Sequence, residues 1–84
     1  MNKDEINDPL KILVLLEPSK IVLLDEIIEG YSHLGIVTTI SGKKGVAMVQ
    51  VTADTKGEVL KILENMPCEI KIISFQEAEK ILDA

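Results

Sequence analysis

The sequence predicts a small α+β domain whose core is a four-stranded antiparallel sheet. The first observation behind this prediction is a run of five apolar residues, 12–16, which follows Lys11 and ends at Glu17-Pro18. The run is too short for a free-standing helix and too uniformly apolar for a strand with one solvated face. The second is the alternation of three further β-type segments with segments whose apolar residues recur at helical spacing. We therefore expect residues 11–16 to form a strand buried on both faces, in the middle of the sheet.

Composition narrows the class of protein. The 84 residues make one domain that is 46% hydrophobic and 27% charged, with a formal charge of −5 and no arginine. The acidic balance and the lack of arginine both disfavour binding to nucleic acid. No apolar run approaches the ~18 residues of a membrane helix, the polar first nine residues do not resemble a signal peptide, and a single cysteine fits a reducing compartment. We expect a cytoplasmic protein that contacts neither membrane nor nucleic acid.

The chain opens with a polar segment, residues 1–9, that we expect to be flexible. After the first strand, Pro18 suits the first turn of a helix because its missing N–H would be unpaired there in any case. The apolar positions of this helix recur at steps of three and four, which predicts one buried stripe. The stripe consists of Ile21, Leu24, Ile28 and Tyr31.

The end of the first helix has two candidates, Gly30 and Gly35. If Gly35 is the left-handed residue just past the helix, Tyr31 and Ile36 take the positions whose side chains meet in a Schellman ending. We expect this ending. It places Gly30 inside the helix at a cost of about 1 kcal/mol relative to alanine, which predicts that something packs closely against Gly30.

The middle of the chain predicts a hairpin followed by a helix. Residues 34–41 and 45–52 are rich in valine, isoleucine and threonine, and they flank the turn Gly42-Lys43-Lys44-Gly45. The sequence Thr55-x-x-Glu58 then has the spacing of a capping box. It predicts a second helix, which Pro67 ends.

The last part of the chain completes the sheet. Residues 68–74 alternate as a fourth strand, and a further capping box, Ser74-x-x-Glu77, opens a short amphipathic C-terminal helix. The order is βαββαβ followed by this terminal helix. Two right-handed crossovers then place the first and third strands in the centre and both main helices on one face. This is the ferredoxin-like plait, formed by residues 10–84 as a single domain.

In such a two-layer fold one face of the sheet has no main helix over it. If Lys11 points to this open face, apolar residues of three strands join it. These residues are Leu13, Leu15, Val46, Met48 and Ile73. Solvated sheet faces carry polar residues at such positions, so the patch predicts a surface that something covers. We expect a homo-oligomer built through it, a dimer first, and the alternative is a monomer whose C-terminal helix folds across the sheet.

Few residues point to chemistry. Lys43 and Lys44, between two glycines, form a candidate anion site, although they lack the spacing of a Walker loop; the alternative is a solvated hairpin tip. His33 and Cys68 supply one imidazole and one thiol, fewer ligands than a tetrahedral zinc site needs. We therefore expect no metal and no cofactor.

The loop after the first strand is the other candidate site. A helix that starts after a central strand offers free backbone N–H groups to an anion. Here those groups lie beside the Ser19 hydroxyl and the Lys20 ammonium, with Glu17 just before them. The alternative is ordinary helix initiation.

Short motifs in this region resemble a family of small bacterial domains of unknown function. They are Leu15-Leu16-Glu17-Pro18-Ser19-Lys20-Ile21, Ile28-Glu29-Gly30-Tyr31, Gly35-Ile36-Val37-Thr38-Thr39 and Lys44-Gly45-Val46. In that family an extended segment ending near proline precedes a helix that closes on Glu-Gly-Tyr. At the level of fold the chain is similar to ACT-like regulatory modules, which oligomerise through their sheets and bind small molecules near the loop after the first strand. The resemblance implies a ligand site at Glu17, Ser19 and Lys20, with Gly30 and Tyr31.

These observations favour a non-enzymatic, oligomeric ACT-like module that binds a small anionic or zwitterionic metabolite for regulation. The alternative is a ligand-free interaction module that docks a partner protein through its apolar sheet face. An enzyme that uses Cys68 or His33 is a third hypothesis, and nothing near either residue in the sequence orients an imidazole for catalysis.

Overall fold

The computed structural model describes residues 8–31 and 33–83, with Tyr31 described by its backbone alone. The strands are β1, Lys11–Leu16; β2, Ile36–Ser41; β3, Val46–Gln50; and β4, Ile70–Ile73. Helix α1 combines a 3-10 turn, Pro18–Lys20, an α-helical part, Ile21–Asp25, and a π-helical part, Glu26–Tyr31. Helix α2 is Lys56–Glu64 and helix α3 is Phe75–Asp83. The predicted flexible segment, residues 1–9, lies outside the described residues except for Asp8 and Pro9.

The four strands form one antiparallel sheet in the order β2-β3-β1-β4. The predicted α+β class and four-stranded sheet are therefore confirmed, with β1 and β3 in the two central positions. Leu13 of β1 lies opposite Met48 of β3 on one side and Ile73 of β4 on the other. β1 therefore has a partner along both edges, as does β3, which pairs with the edge strand β2.

One face of the sheet packs under α1 and α2. Alternate residues of β1, β3 and the first helix stripe meet there, as the twofold period of a strand requires. Leu24, Ile28 and Val59 are fully buried in this layer. Its buried members are Ile12, Val14, Leu16, Ile21, Leu24, Ile28, Ala47, Val49, Val51, Val59 and Leu63.

The opposite face of the sheet is covered by α3. Leu13, Val46 and Ile73 are buried there together with Phe75 and Ala78 of the helix. Around them lie the half-buried side chains of Leu15, Ile40, Met48, Ile81 and Leu82. The cover that the sequence offered as an alternative, the C-terminal helix, thus occupies this face within one chain.

The predicted ending of α1 is wrong. The helix ends in its π-helical part, and the left-handed residue beyond it is His33, with φ 52°. The Leu34 N–H then donates to the Ile28 carbonyl at 3.0 Å, a wider turn than a Schellman ending. Gly35 does not have positive φ; its role is a close approach, because a Cβ there would lie 2.6 Å from the Gln50 carbonyl oxygen.

Two further expectations for local structure are corrected. A Cβ on this exposed glycine, Gly30, would meet no atom of the described residues within 4 Å, so none of them packs closely against it. Thr55 precedes α2 without forming a side-chain cap, since its hydroxyl bonds instead to the backbone N–H of Thr52 at 3.0 Å. The second capping box does form: the Ser74 N–H donates to Glu77 Oε1 and the Glu77 N–H donates to Ser74 Oγ, both at 3.1 Å.

Candidate functional site

The loop after β1 begins the candidate site. Glu17 follows the strand with extended backbone, and Pro18 opens the 3-10 turn at the start of α1. The Ser19 hydroxyl donates to Glu17 Oε1 at 3.0 Å, and the Lys20 N–H donates to the Glu17 carbonyl at 2.8 Å. The loop is therefore ordered by its own hydrogen bonds, with the carboxylate of Glu17 exposed beside them.

A pocket of about 290 Å³ lies against this loop. Antiparallel pairing opposes Leu16 at the end of β1 to Ile70 at the start of β4, so the residues just before β4 meet those just after β1. The lining residues are Leu15, Leu16, Glu17, Lys20, Cys68, Glu69 and Lys71. The volume is near the lower limit of small-molecule sites.

Charged groups of both signs surround an apolar part of this pocket. The lining includes the lysines Lys20 and Lys71, the glutamates Glu17 and Glu69, and two leucines. Such a lining suits a small molecule that carries an anionic group, a cationic group or both. The Lys71 ammonium also lies 3.9 Å from the Glu77 carboxylate of α3; the Lys71 side chain is largely exposed and that of Glu77 about half exposed.

The sequence identified only part of this pocket. Cys68 was considered as a metal ligand or nucleophile, and Glu69 and Lys71 were not singled out. The pairing of β1 with β4 was the signal that could have joined them to Glu17, because it follows from the predicted strand order. His33 lines a different pocket, beside Gln50 at the other end of the sheet, so the structure does not bring His33 and Cys68 together.

Two residues of the predicted site lie elsewhere. Gly30 is ten residues along α1 from Lys20, roughly 15 Å at the rise of a helix, and it does not line the pocket. The side chain of Tyr31 lies outside the described residues. The pocket therefore includes the predicted Glu17 and Lys20, with Ser19 hydrogen-bonded at its edge, but not Gly30.

Glu29, which begins the Glu-Gly-Tyr motif, ties α1 to the sheet. Its Oε2 accepts a hydrogen bond from the Val37 N–H of edge strand β2 at 3.1 Å. A side-chain hydrogen bond between Asp25 and Glu29 raises the pKa of Asp25 above its usual value and lowers that of Glu29. The bond from Val37 lowers the pKa of Glu29 further. The Glu29 carboxylate thus satisfies one N–H of edge strand β2 that could otherwise pair with a further strand.

The two lysines of the hairpin tip have different surroundings. Lys43 is exposed. The Lys44 ammonium donates to the carbonyl oxygens of Ile81 at 2.8 Å and Leu82 at 3.2 Å, in the last turn of α3. A cation at this end of a helix satisfies carbonyls that lack intrahelical partners and complements the helix dipole. Lys44 is thus not the solvated lysine of a simple hairpin tip, because its ammonium donates to these two carbonyls. Anion binding by Lys43 and Lys44 stays a prediction.

The five residues of the predicted oligomer interface share one face, as expected. Leu13, Val46 and Ile73 are buried under α3 of the same chain, whereas Leu15 and Met48 are half-buried. Their burial therefore does not require a second chain. Oligomerisation stays a prediction.

Within residues 8–31 and 33–83, no cluster of three or more histidine, cysteine, aspartate or glutamate side chains has an arrangement that would hold a metal ion. In the same described part of the chain, no helix has the length and apolar character needed to cross a membrane.

Comparison with known proteins gives one finding about family. A family model described as a domain of unknown function, DUF4911, matches residues 14–70, from the middle of β1 to the start of β4. The match includes Glu17 and Lys20 of the pocket and leaves α3 outside. No curated protein and no solved structure matches the chain.

Proposed function

The chain belongs to the DUF4911 family of domains of unknown function, and from this premise we propose that it is an ACT-like regulatory module. In this proposal a small anionic or zwitterionic metabolite binds the pocket between the loop after β1 and the start of β4. The protein acts by binding rather than by catalysis, in the cytoplasm of a bacterium.

The topology supports the fold that this proposal assumes. Counted from the other edge, the strand order is β4-β1-β3-β2, all antiparallel, and α1 and α2 pack together on one face. A ferredoxin-like plait has the element order βαββαβ, and the chain follows that order before α3 begins. The resemblance to ACT-like modules implies that the ligand lies near the loop after the first strand.

The observation that carries the proposal is the position and lining of the pocket. It lies at the loop that the resemblance implies, and its lining includes two lysines, two glutamates and two leucines. Opposed charges around hydrocarbon can fix the orientation of a small polar ligand while its apolar part is buried. Two elements that are distant in sequence, 15–20 and 68–71, are needed to form it.

A binding role is also consistent with the exposure of the polar and charged side chains. No polar or charged side chain among the described residues is buried. The pocket's charged residues are suited to ion pairing with a ligand, since Glu17, Glu69 and Lys71 are exposed and Lys20 is half-buried.

A thermal-shift experiment with a panel of amino acids, organic acids and nucleotides at millimolar concentration tests the proposal. A ligand present at about 100 times its dissociation constant stabilises the folded state by about 2.7 kcal/mol, which for a domain of this size raises Tm by about 10 °C or more. We expect Lys20→Ala to remove most of this rise. The matched control is Lys61→Ala, an exposed lysine of α2 that does not line the pocket, which should leave the rise intact.

Either of two results would contradict the proposal. One is that no member of the panel raises Tm, which would favour the ligand-free interaction module. The other is a rise that is the same in wild type and Lys20→Ala, which would place the ligand elsewhere.

A further inference from the structure

The outer edge of β2 lacks the features that usually protect the edge of a sheet. Protected edge strands are commonly short, carry lysine or proline, or are interrupted by a bulge. The other edge strand, β4, has four residues and includes Lys71. By contrast, β2 has six residues with no charged residue and no proline, and its irregularity lies between Thr39 and Ser41, near the hairpin. Residues 36–39 therefore form an edge that can pair with a further strand.

The register of the sheet shows which backbone groups of β2 point outward. Val37 lies opposite Val49 of β3, but its N–H donates to Glu29 on the other side. Residues two positions apart in an antiparallel strand direct their backbone groups to the same side. The N–H and C=O of Thr39 therefore also point away from β3. Glu29 occupies the Val37 donor, and the groups of Thr39 are the next that an incoming strand would meet.

Apolar side chains flank this edge on both faces of the sheet. The large hydrophobic side chains that are exposed among the described residues are Val22, Ile36 and Ile72. Val22, which is 65% exposed, lies on the α1 side of β2 in a groove of about 300 Å³. Ile36, which is 56% exposed, lies on the opposite face of the sheet, because side chains alternate along a strand. The groove is lined by Ile21, Val22, Asp25, Glu29, Val37 and Thr39.

The charge of the groove specifies the kind of strand that it suits. Asp25 and Glu29 are two of its six lining residues, and none of the six is a lysine. The hydrogen bond from Asp25 to Glu29, partial burial, and the negative charges of Glu29 and Glu26 all raise the pKa of Asp25. Neighbouring carboxylates of this kind are stabilised by a cation. The formal charge of −5 on the whole chain also attracts a basic partner.

We propose that the outer edge of β2 binds an extended, basic peptide segment of another protein by strand addition. Backbone hydrogen bonds to Val37 and Thr39 hold the peptide, and pockets for its alternate side chains give specificity. A lysine or arginine on its α1 side pairs with the carboxylates of Asp25 and Glu29. The Val37 N–H is then released from Glu29 and donates to a peptide carbonyl. This inference does not depend on the ligand pocket, which lies at the other edge strand, β4.

The first test is a titration followed by the NMR signals of the backbone amides. The probe is a short peptide of alternating valine and lysine, blocked at both ends, and its charge control has glutamate in place of lysine. We expect the lysine peptide at millimolar concentration to shift the signals of residues 36–39 and to slow exchange of the Thr39 N–H. The glutamate peptide should bind roughly tenfold more weakly, because its carboxylates meet those of the groove. No shift, a shift confined to β4, or equal binding of the two peptides would overturn the proposal.

The second test removes an outward N–H from each edge of the sheet in turn. Proline has no N–H and is found on edge strands where that side faces solvent. Thr39→Pro removes the outward donor of β2. Ile72→Pro is the matched control on β4: the Leu16 N–H donates toward β3, so by alternation its neighbour in the same set, Val14, also faces β3 and leaves the backbone of Ile72 outward. We expect Thr39→Pro to weaken binding of the lysine peptide by roughly tenfold or more, and Ile72→Pro to bind it as wild type does. Equal binding by the two variants would overturn the proposal.

A third test leaves the backbone of β2 intact. The double variant Asp25→Asn with Glu29→Gln removes both charges of the groove, and an amide oxygen at position 29 can still accept from the Val37 N–H. The control, Glu58→Gln with Glu64→Gln, makes the same change of charge at exposed positions of α2. We expect the groove variant to bind the lysine peptide roughly fivefold more weakly than this control. Equal affinities would overturn the proposal, and so would pairing of β2 with a second copy of the chain in the absence of peptide.

Discussion

Gly45→Ala is expected to cost about 3–5 kcal/mol of folding free energy. Gly45 has φ 73°, a conformation that costs an L side chain about 1–2 kcal/mol by itself. A Cβ there would also lie 1.8 Å from the carbonyl oxygen of Leu16 and 3.4 Å from Pro18 Cδ. The Leu16 backbone cannot move away freely, because its N–H donates to the Gly45 carbonyl at 2.9 Å and its strand is the centre of the sheet. The two penalties together explain the size of the effect.

Urea unfolding measures this loss. With an m-value of about 1 kcal/mol/M for a domain of this size, the midpoint of Gly45→Ala should fall by roughly 3–5 M. Gly57→Ala is the matched control, because a Cβ at that position of α2 meets nothing within 4 Å. It should be neutral or stabilise by up to about 1 kcal/mol. If both variants unfold at the wild-type midpoint, the hairpin tip does not abut β1.

Leu24→Ala is expected to cost about 3 kcal/mol. The Leu24 side chain is fully buried between α1 and the sheet. Its truncation removes apolar contacts and leaves a cavity, which costs about 2–5 kcal/mol in cores where the surroundings relax only partly. In an 84-residue chain, whose total stability is of order 5–10 kcal/mol, this is a large fraction of what keeps the domain folded.

Val22→Ala in the same helix is the control for Leu24→Ala. Val22 is 65% exposed, so its truncation removes little buried surface, and alanine has the higher helix propensity. Thermal and urea unfolding should place Val22→Ala within about 0.5 kcal/mol of wild type. Similar losses in the two variants would mean that the face of α1 assigned to the core is wrong.

The sheet and its two-sided core follow from local pattern. Five apolar residues in β1 are too few for a helix, so they predict a strand that is buried on both faces. Leu13 and Val14 do face opposite layers of the core. The pattern also placed Ile73 on the same face as Leu13, although it left open whether α3 or a second chain covers that face. The hydrophobic periodicity of a sequence shows which residues must be buried, but it does not show which helix or second chain buries them.

Other features depend on contacts between residues distant in sequence. The left-handed conformation predicted for Gly35 is adopted by His33. The sequence does not show that the backbone of residue 35 passes close to Gln50. The sequence also does not show that the Lys44 ammonium reaches the carbonyls of Ile81 and Leu82, which lie 37 and 38 positions later in the chain. Cys68 and Glu69 were not joined to Glu17, although the predicted pairing of β1 with β4 places them close together.

Amide hydrogen exchange of β1 tests the central structural claim most directly. Every N–H in the middle of a central antiparallel strand bonds to one neighbour or the other, whereas alternate N–H groups of an edge strand point outward. Residues 13–15 should therefore exchange only through global unfolding and rank with β3 as the slowest amides of the protein. The edge strands β2 and β4 should alternate between slow and fast amides, with Val37 protected by Glu29. Exchange of residues 13–15 as fast as that of the outward amides of β4 would show that β1 is not the buried centre of the sheet.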